Sequence, residues 1–158
     1  MNIFVLHKNP RKAARMLCDQ HVVKMILESG QMLSTAHWET GSKAPYKATH
    51  KNHPCSIWVR ESLGNYEWLV KHAEEMCKEY TKRYNKIHKT QEVIEWAKKN
   101  LPNIKNKKQT PFAQAMPEEF KHENAVKAYR SFYMGQKLKF ARWNKNRKMP
   151  KVFKYSNL

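Results

Sequence analysis

The chain reads CDQHVVKMILESGQ over residues 18–31, a stretch with the periodicity of a helix. Its polar residues recur at spacings of three and four and so share one face, which continues to a later threonine: His21, Lys24, Glu28, Gln31 and Thr35. Apolar residues occupy nearly every other side, so a narrow polar seam runs along a helix otherwise suited to burial. Burying a carboxylate, an ammonium group and an imidazole together is costly unless they pair or line a cleft. The stretch therefore predicts a helix that carries a functional site; a purely structural polar network is the alternative.

The composition of the chain favours helices. Only four glycines occur in 158 residues, helix-forming residues are frequent, and no sustained alternation of polar and apolar residues indicates an extensive sheet. The length suits one domain with its own core. We therefore predict an all-α protein, a single compact domain over residues 1–158 with about three long helices, short helices and basic loops.

Capping residues, prolines and apolar periodicity place the elements along the chain. Residues 3–6 are apolar and predict a short strand or an extended segment. The basic tail over residues 145–158 contains Phe153 and Tyr155 and is predicted to be partly disordered in isolation. The predicted helices span residues 10–38, 54–84 with an interruption at Gly64 and Asn65, 91–100, and 118–143.

Positive charge is the strongest global feature. The chain has 31 Lys and Arg against 13 Asp and Glu, a formal net charge of +18, and the cations are spread from Lys8 to Lys154. Such an excess favours a polyanionic partner, most often nucleic acid, over a merely well-solvated surface. An anionic membrane is disfavoured because no single helix is both basic and cleanly amphipathic, and no apolar run is long enough to span a bilayer.

The chain shows no signature of a metal or a cofactor. His50, His53 and Cys55 are close in sequence, but their spacing matches no zinc motif, and with four glycines the chain has no phosphate-binding glycine-rich loop. His53 precedes Pro54 and is interpreted as a helix-entry residue that faces a cleft. The three cysteines lack paired spacing, which favours reduced thiols and a cytoplasmic location, that of the host cell if the gene is phage-encoded.

Aromatic rings alternate with cations in residues 129–143. About half of these rings are expected in the core, and the rest suit stacking on bases, while lysine clusters suit phosphate contacts without sequence information. We assign the contacts with DNA or substrate to Asn2, Gln31, Trp58, Arg60, Lys105, Lys107, Lys108, Tyr129, Arg130, Tyr133, Lys137 and Arg142.

Several segments, in the same order along the chain, resemble one known family. The pattern of Asp19, Gln20 and His21, followed seven residues later by Glu28, resembles its first helix. Residues 66–83 resemble its central helix, and MPEEFK at 116–121 resembles the segment before its last helix. YRSFYMGQK at 129–137 resembles its aromatic segment near the damaged bases. The chain is thus similar to the pyrimidine-dimer excision family of DNA glycosylases, the family of phage endonuclease V.

The resemblance implies a mechanism. In that family the N-terminal α-amine attacks the deoxyribose C1′, expels the base and forms an imine, which also permits strand cleavage by β-elimination. An α-amine has a reference pKa of about 7.7–8.0 and is neutral near pH 7 far more readily than a lysine. The implied nucleophile is the amine of Met1, Glu28 stabilises the sugar cation and handles protons, and His21 aids positioning. Lys24 and His53 are expected to line the same site.

Two departures from the family leave the target base open. Leu27 and Gln31 stand where the family has arginines near the catalytic carboxylate, and about six extra residues separate Ile3 from Asp19. We therefore expect a DNA N-glycosylase, with or without AP-lyase activity, that acts on a damaged or modified pyrimidine in duplex DNA. The alternatives are a non-catalytic DNA- or RNA-binding protein and a base-modifying transferase on the same scaffold. We expect a monomer with no obligatory protein partner and no membrane contact.

Overall fold

The computed structural model describes residues 1–154, and every regular element within that range is helical, which confirms the all-α prediction. Two of the α-helices are long, not three, and a 3₁₀ turn at Glu118–Phe120 and a π-helical turn at Tyr133–Lys137 accompany them. None of these helices combines the length and the apolar character needed to cross a membrane. The α-helices are α1 (Pro10–Met16), α2 (Asp19–Trp38), α3 (Pro54–Glu61), α4 (Leu63–Tyr84), α5 (Gln91–Lys99), α6 (Ala125–Phe132) and α7 (Lys151–Lys154).

Helix α4 is the central element, and it packs against α1, α2, α3 and α5. Its buried face supplies both apolar and aromatic side chains, including Tyr66, Trp68, Leu69 and Met76. Helix α2 lies against α4 along the side opposite to its exposed positions, where Met25, Ile26, Met32 and Leu33 are buried. The two long helices thus form the core on which the predicted polar seam is held.

The predicted single helix over residues 10–38 is wrong, because the chain leaves the helical conformation at Leu17 and Cys18. The carbonyl groups at the end of α1 are taken up by a side chain of α4 instead of by another helical turn. Arg83 donates from Nη1 to the Leu17 carbonyl at 2.6 Å and from Nη2 to the Arg15 carbonyl at 3.1 Å. This contact crosses 66 residues of sequence, so no local signal predicts the break.

The break between α3 and α4 falls at Ser62, two residues before the predicted one. Ser62 caps α4 by accepting a hydrogen bond from the Asn65 amide at 3.1 Å. Gly64 has a different role: its amide donates to the Lys107 carbonyl at 3.0 Å, and the Leu63 amide donates to the Lys105 carbonyl at 2.8 Å. These bonds fix the basic loop over residues 105–108 to the start of α4.

Replacing Gly64 by alanine is expected to destabilise the protein by about 1–3 kcal/mol. A Cβ at this position would collide with the backbone amide of Gln109 and lie 2.8 Å from the Lys108 carbonyl carbon, and backbone atoms cannot move aside as a flexible side chain can. Helix propensity alone predicts the opposite sign, a gain of up to about 1 kcal/mol. Urea unfolding of the wild type and the variant decides between them, and a stabilised variant would contradict the close approach.

The predicted helix over residues 118–143 is wrong. Gln114 and His122 pair reciprocally, side-chain amide to carbonyl at 2.6 Å and backbone amide to side-chain oxygen at 3.1 Å, and this pairing holds the chain before α6 out of a helix. Asn124 then starts α6 by capping the Lys127 amide at 3.1 Å. After residue 137 the backbone bonds to the start of α2, with the Asp19 amide donating to the Arg142 carbonyl at 2.8 Å.

In the described part of the basic tail, residues 145–154, Arg147 and Phe153 are held against the rest of the protein; the partial disorder of the tail in isolation stays a prediction. Phe153 in α7 is 2% exposed and stacks on the rings of Tyr133 and Trp143, with centroid distances of 5.5 and 5.8 Å. Arg147 binds Glu79 of α4 through both carboxylate oxygens. Tyr155, also assigned to this tail, lies outside the described residues.

Candidate active site

The amino terminus lies beside Glu28 of α2. The Met1 amine nitrogen is 3.6 Å from Glu28 Oε1, and the backbone amide of Asn2 donates to the same oxygen at 2.9 Å. Glu28 is 7% exposed, and its other oxygen is 3.9 Å from Nζ of Lys24, one helical turn earlier. A buried carboxylate therefore sits between the chain's first amine and a solvent-exposed lysine.

Asn2 holds the N-terminal segment in place. Its side-chain nitrogen donates to the Ala115 carbonyl at 2.8 Å, and its side-chain oxygen accepts from the amides of Ile3 and Phe4 at 2.8 and 3.2 Å. The side chain is buried and fully engaged, so the prediction that Asn2 contacts DNA is corrected: Asn2 positions the amine of Met1. Residues 3–6 form no strand, and the backbone turns at Phe4, so the predicted strand or extended segment is wrong.

Phe4 turns the N-terminal segment through a conformation that is rare for an aromatic residue. Its φ angle is 55°, in the left-handed region, where a bulky side chain persists only if the surroundings hold it. The ring stacks on the imidazole of His21 with a centroid distance of 4.4 Å and meets the edge of Tyr133 at 5.5 Å. Packing at Phe4 thus fixes the path that brings Met1 to Glu28. Nothing in the local sequence indicates this turn.

His21 lies under this segment and does not face solvent. Burial, with a smaller effect of the charges on Lys137 and Lys24, lowers its pKa to about 4, so the imidazole is neutral at neutral pH. Its Nδ1 shares a hydrogen bond with the Tyr133 hydroxyl, in which either group can be the donor. The ring supports Phe4 and is 5% exposed, and the role of His21 in positioning stays a prediction.

His53 reaches the site from α3. It caps that helix by accepting a hydrogen bond from the Cys55 amide at 3.1 Å, as its place before Pro54 predicts. Burial lowers its pKa, and the positive amino terminus and His50 lower it further, against the opposing effects of Glu28 and the Met1 backbone. These mutual effects place His53 within electrostatic reach of both the amine and the carboxylate.

Three aromatic residues assigned to DNA contact are in the core, and that prediction is corrected. Tyr129 and Tyr133 are 0% exposed and Trp58 is 2% exposed. Their polar atoms are bonded internally: the Tyr129 hydroxyl donates to the Ala113 carbonyl at 2.6 Å, and the Trp58 indole donates to the Thr110 carbonyl at 3.3 Å. These rings pack in the core, because the core of a chain of this size needs large side chains.

Arg130 is half-buried and supports the N-terminal segment, and its contact with DNA stays a prediction. Its Nε donates to the Leu6 carbonyl at 2.9 Å, so the guanidinium holds the end of the N-terminal segment. Arg60 is half-buried, and its Nη1 is buried without a hydrogen-bond partner among the described residues.

The seam residue Thr35 exchanges hydrogen bonds with the Thr49 backbone, so this end of the seam is structural, as the alternative interpretation had it.

The remaining assigned residues are at least partly open to solvent. Lys24 has a side chain that is 68% exposed, and Gln31 is half-buried on the same helix. Burial lowers the pKa of Lys137, with Lys24 and Lys139 adding to the effect, so these positive charges lie near one another. Exposed cations also occur in the loop fixed to α4 and after the π-helical turn: Lys105, Lys107, Lys108 and Arg142.

Residues 1–154 contain no group of three His, Cys, Asp or Glu side chains that could hold a metal ion. The three cysteines, Cys18, Cys55 and Cys77, are buried free thiols. Burial is the main cause that raises the pKa of Cys55 to about 11 and that of Cys77 to about 12, so neither is a thiolate at neutral pH. The site brings together an amine, a carboxylate and a lysine ammonium group.

The family model described as pyrimidine dimer DNA glycosylase matches residues 1–92, more than half of the chain. The matched range includes the amine of Met1, Lys24, Glu28 and His53, and it ends at the start of α5. No curated protein and no solved structure matches the chain.

Proposed function

Because the chain belongs to the pyrimidine dimer DNA glycosylase family, a family of enzymes, we propose that it uses its own amino terminus to release a damaged or modified pyrimidine from duplex DNA. The observation that carries the proposal is the distance of 3.6 Å between the Met1 amine and Glu28 Oε1. An amine held this close to a buried carboxylate can pass a proton to it and then act as a nucleophile.

In the proposed reaction the lone pair of the Met1 nitrogen attacks C1′ of the deoxyribose. The bond between C1′ and the base breaks, and the base leaves with the bonding electrons and takes up a proton. Loss of the remaining amine proton and opening of the sugar ring give an imine. Removal of a C2′ proton from this imine would then expel the 3′ phosphate, which is the lyase step.

Glu28 has two roles in this scheme. Its carboxylate accepts the proton from the amine and passes it to the departing base, so that it is negatively charged again and stabilises the positive charge on the sugar. The Asn2 amide holds Oε1, which leaves Oε2 on the side of Lys24. Because the site excludes most solvent around this carboxylate, its charge acts through a lower dielectric than in water.

Contact with DNA is proposed to come from the exposed cations around the site. Lys24 and Lys137 lie next to Glu28 and His21, and the basic loop over residues 105–108 is anchored to the first turn of α4. Such lysines bind phosphates and orient the duplex without reading its sequence. Leu27 is 41% exposed beside Glu28, where the family has an arginine, so the base recognised is proposed to be a pyrimidine lesion that is not restricted to the dimer.

Borohydride trapping tests the proposal. Incubation of the wild-type protein with ultraviolet-irradiated duplex DNA and borohydride is expected to give a covalent adduct that peptide mass mapping assigns to Met1. A chain extended by two residues before Met1 moves the amine away from Glu28 and is expected to give no adduct. An adduct on a lysine peptide would contradict the role of Met1. Tight DNA binding with neither adduct nor base release from irradiated or base-modified duplexes would favour a non-catalytic binding protein.

A further inference from the structure

One aromatic ring of the region over residues 129–143 is open to solvent. The Phe140 side chain is 41% exposed, whereas Phe132 is 6% exposed and the two tyrosines of that region are fully buried. A phenylalanine ring exposed to water lacks the favourable free energy that burial against a partner would give it. The sequence alone does not distinguish Phe140 from its buried neighbours, since all five rings of the region alternate with cations.

The backbone at Phe140 is held firmly. Gln20, in the first turn of α2, donates from Nε2 to the Phe140 carbonyl at 2.7 Å and accepts from the Arg142 amide at 3.1 Å. The neighbouring Asp19 amide donates to the Arg142 carbonyl at 2.8 Å. The ring itself meets the His21 imidazole edge to face, at a centroid distance of 5.8 Å. Phe140 therefore projects from a rigid support on the same helix that carries Glu28.

The surroundings of the ring are positively charged. Nζ of Lys137 is 5.9 Å from the Phe140 ring centroid, and Lys24 and Lys139 are near enough to lower the pKa of Lys137 further after the effect of burial. Within residues 1–154, Lys137 and Lys139 form no ion pair with a carboxylate, so their charges are available to an external anion. An exposed ring bordered by free cations matches the chemistry of a base stack between two phosphate strands.

We propose that Phe140 inserts into the base stack of duplex DNA and fills the space left by the nucleotide that turns toward Glu28; this inference rests on the proposed function. Glu28 follows Gln20 by eight residues on α2, which corresponds to about 12 Å along the helix. A target base must leave the stack to expose its sugar to the amine, and the vacated gap costs stacking free energy. A ring held at a fixed distance from the carboxylate offsets that cost while Lys137 and Lys24 hold the flanking phosphates.

The test compares affinity for two probes, an intact duplex and the same duplex with a tetrahydrofuran abasic analogue, which already contains a gap in the stack. Phe140→Ala is expected to bind the gapped duplex about tenfold to a hundredfold more weakly than wild type, because one ring-to-base stack is lost. Its affinity for the intact duplex, set by lysines and arginines, is expected to change less than about threefold. Phe140→Trp is expected to retain the preference for the gap.

The matched control is Leu101→Ala. Leu101 is 55% exposed in a groove where Lys98 is paired with Glu74, so no excess of positive charge borders it and its removal is expected to leave both affinities unchanged. Unchanged affinity of Phe140→Ala for the gapped duplex would overturn the proposal, and so would an equal loss on both duplexes. Neither probe contains a damaged base, so the measured affinities do not depend on base release. A failed borohydride trap with a preserved gap preference would therefore remove the glycosylase mechanism and leave the inserted ring, and the reverse outcome would remove only the ring.

Discussion

Glu28→Gln is expected to slow base release by about a hundredfold to a thousandfold while leaving the fold and the affinity for DNA close to those of the wild type. Glutamine has the shape of glutamate and keeps an oxygen for the hydrogen bond from the Asn2 amide, so the N-terminal segment has no reason to move. It carries no charge, however, and therefore neither accepts the proton of the Met1 amine nor stabilises the sugar cation. Single-turnover base release from irradiated duplex measures the effect.

Two variants of the same helix serve as controls for Glu28→Gln. Glu39→Gln removes a carboxylate from the exposed C-cap of α2 and is expected to keep the wild-type rate. Lys24→Met removes a cation 3.9 Å from Glu28 and is expected to weaken affinity and to reduce the salt dependence of binding by about one unit of slope. Full activity of Glu28→Gln would show that Glu28 is not the central carboxylate. Loss of affinity in parallel with rate would show a structural role instead.

Local periodicity predicts the part of the site that lies on one helix. The spacing of Lys24 and Glu28 fixes their relation once α2 forms, and the structure has them as an i,i+4 pair. The approach of Met1 to Glu28 is different, because it depends on the turn at Phe4 and on the Ala115 carbonyl that holds Asn2. Neither contact has a local signal, and only the resemblance to a family pointed to the amine.

The aromatic segment shows why a pattern of rings and cations does not identify contact residues. A regular helix over residues 118–143 would distribute the rings over several faces, but α6 ends at Phe132 and the π-helical turn alters the register. Tyr129 and Tyr133 are four residues apart and both point into the core, as a regular helix would also place them, while Phe140 falls after the turn and is exposed. Which ring is exposed depends on where the backbone finds hydrogen-bond partners, above all Gln20. A local sequence pattern does not contain that information.

Arg83→Met is expected to lower the free energy of unfolding by about 3–5 kcal/mol. The Arg83 side chain is fully buried, with Nε 2.9 Å from Glu79 Oε1 and Nη1 3.2 Å from Asp19 Oδ1. It also donates to the carbonyls that end α1. Removing it leaves the buried Asp19 carboxylate without its cation and those carbonyls without donors. A buried charge without its partner strongly lowers the free energy of unfolding. Urea unfolding monitored by circular dichroism measures the loss.

Arg147→Met is expected to disturb the same ion-pair network less than Arg83→Met does. Arg147 donates to both oxygens of Glu79, at 2.6 and 2.8 Å, but its side chain is 23% exposed and Arg83 still faces the carboxylate after its removal. We therefore expect a loss of about 1–3 kcal/mol, less than for Arg83→Met. A loss below about 1 kcal/mol for Arg83→Met would show that water or rearrangement replaces the guanidinium at the end of α1.

The pH dependence of stability distinguishes the contribution of Glu79 and its two arginines from that of the buried histidines. Burial acts to raise the pKa of Glu79, but hydrogen bonds from Arg147 and Arg83 outweigh it and hold that pKa below its usual range. A carboxylate with a lowered pKa adds stability above its unfolded pKa of about 4.3, and that stability is lost as the pH falls through the lower folded value.

His21 and His72 act in a different window, because burial is the main cause that lowers the pKa of each to about 4. Between about pH 6.5 and 4 the unfolded chain binds protons at both positions that the folded protein does not, so stability falls as the pH drops through that range. Arg147→Met is therefore expected to reproduce the wild-type slope between pH 6.5 and 4.5 and to show a shallower loss below pH 4. An altered slope above pH 4.5 would mean that Arg147 also acts on a histidine, and an unchanged slope below pH 4 would mean that it does not hold the charge of Glu79.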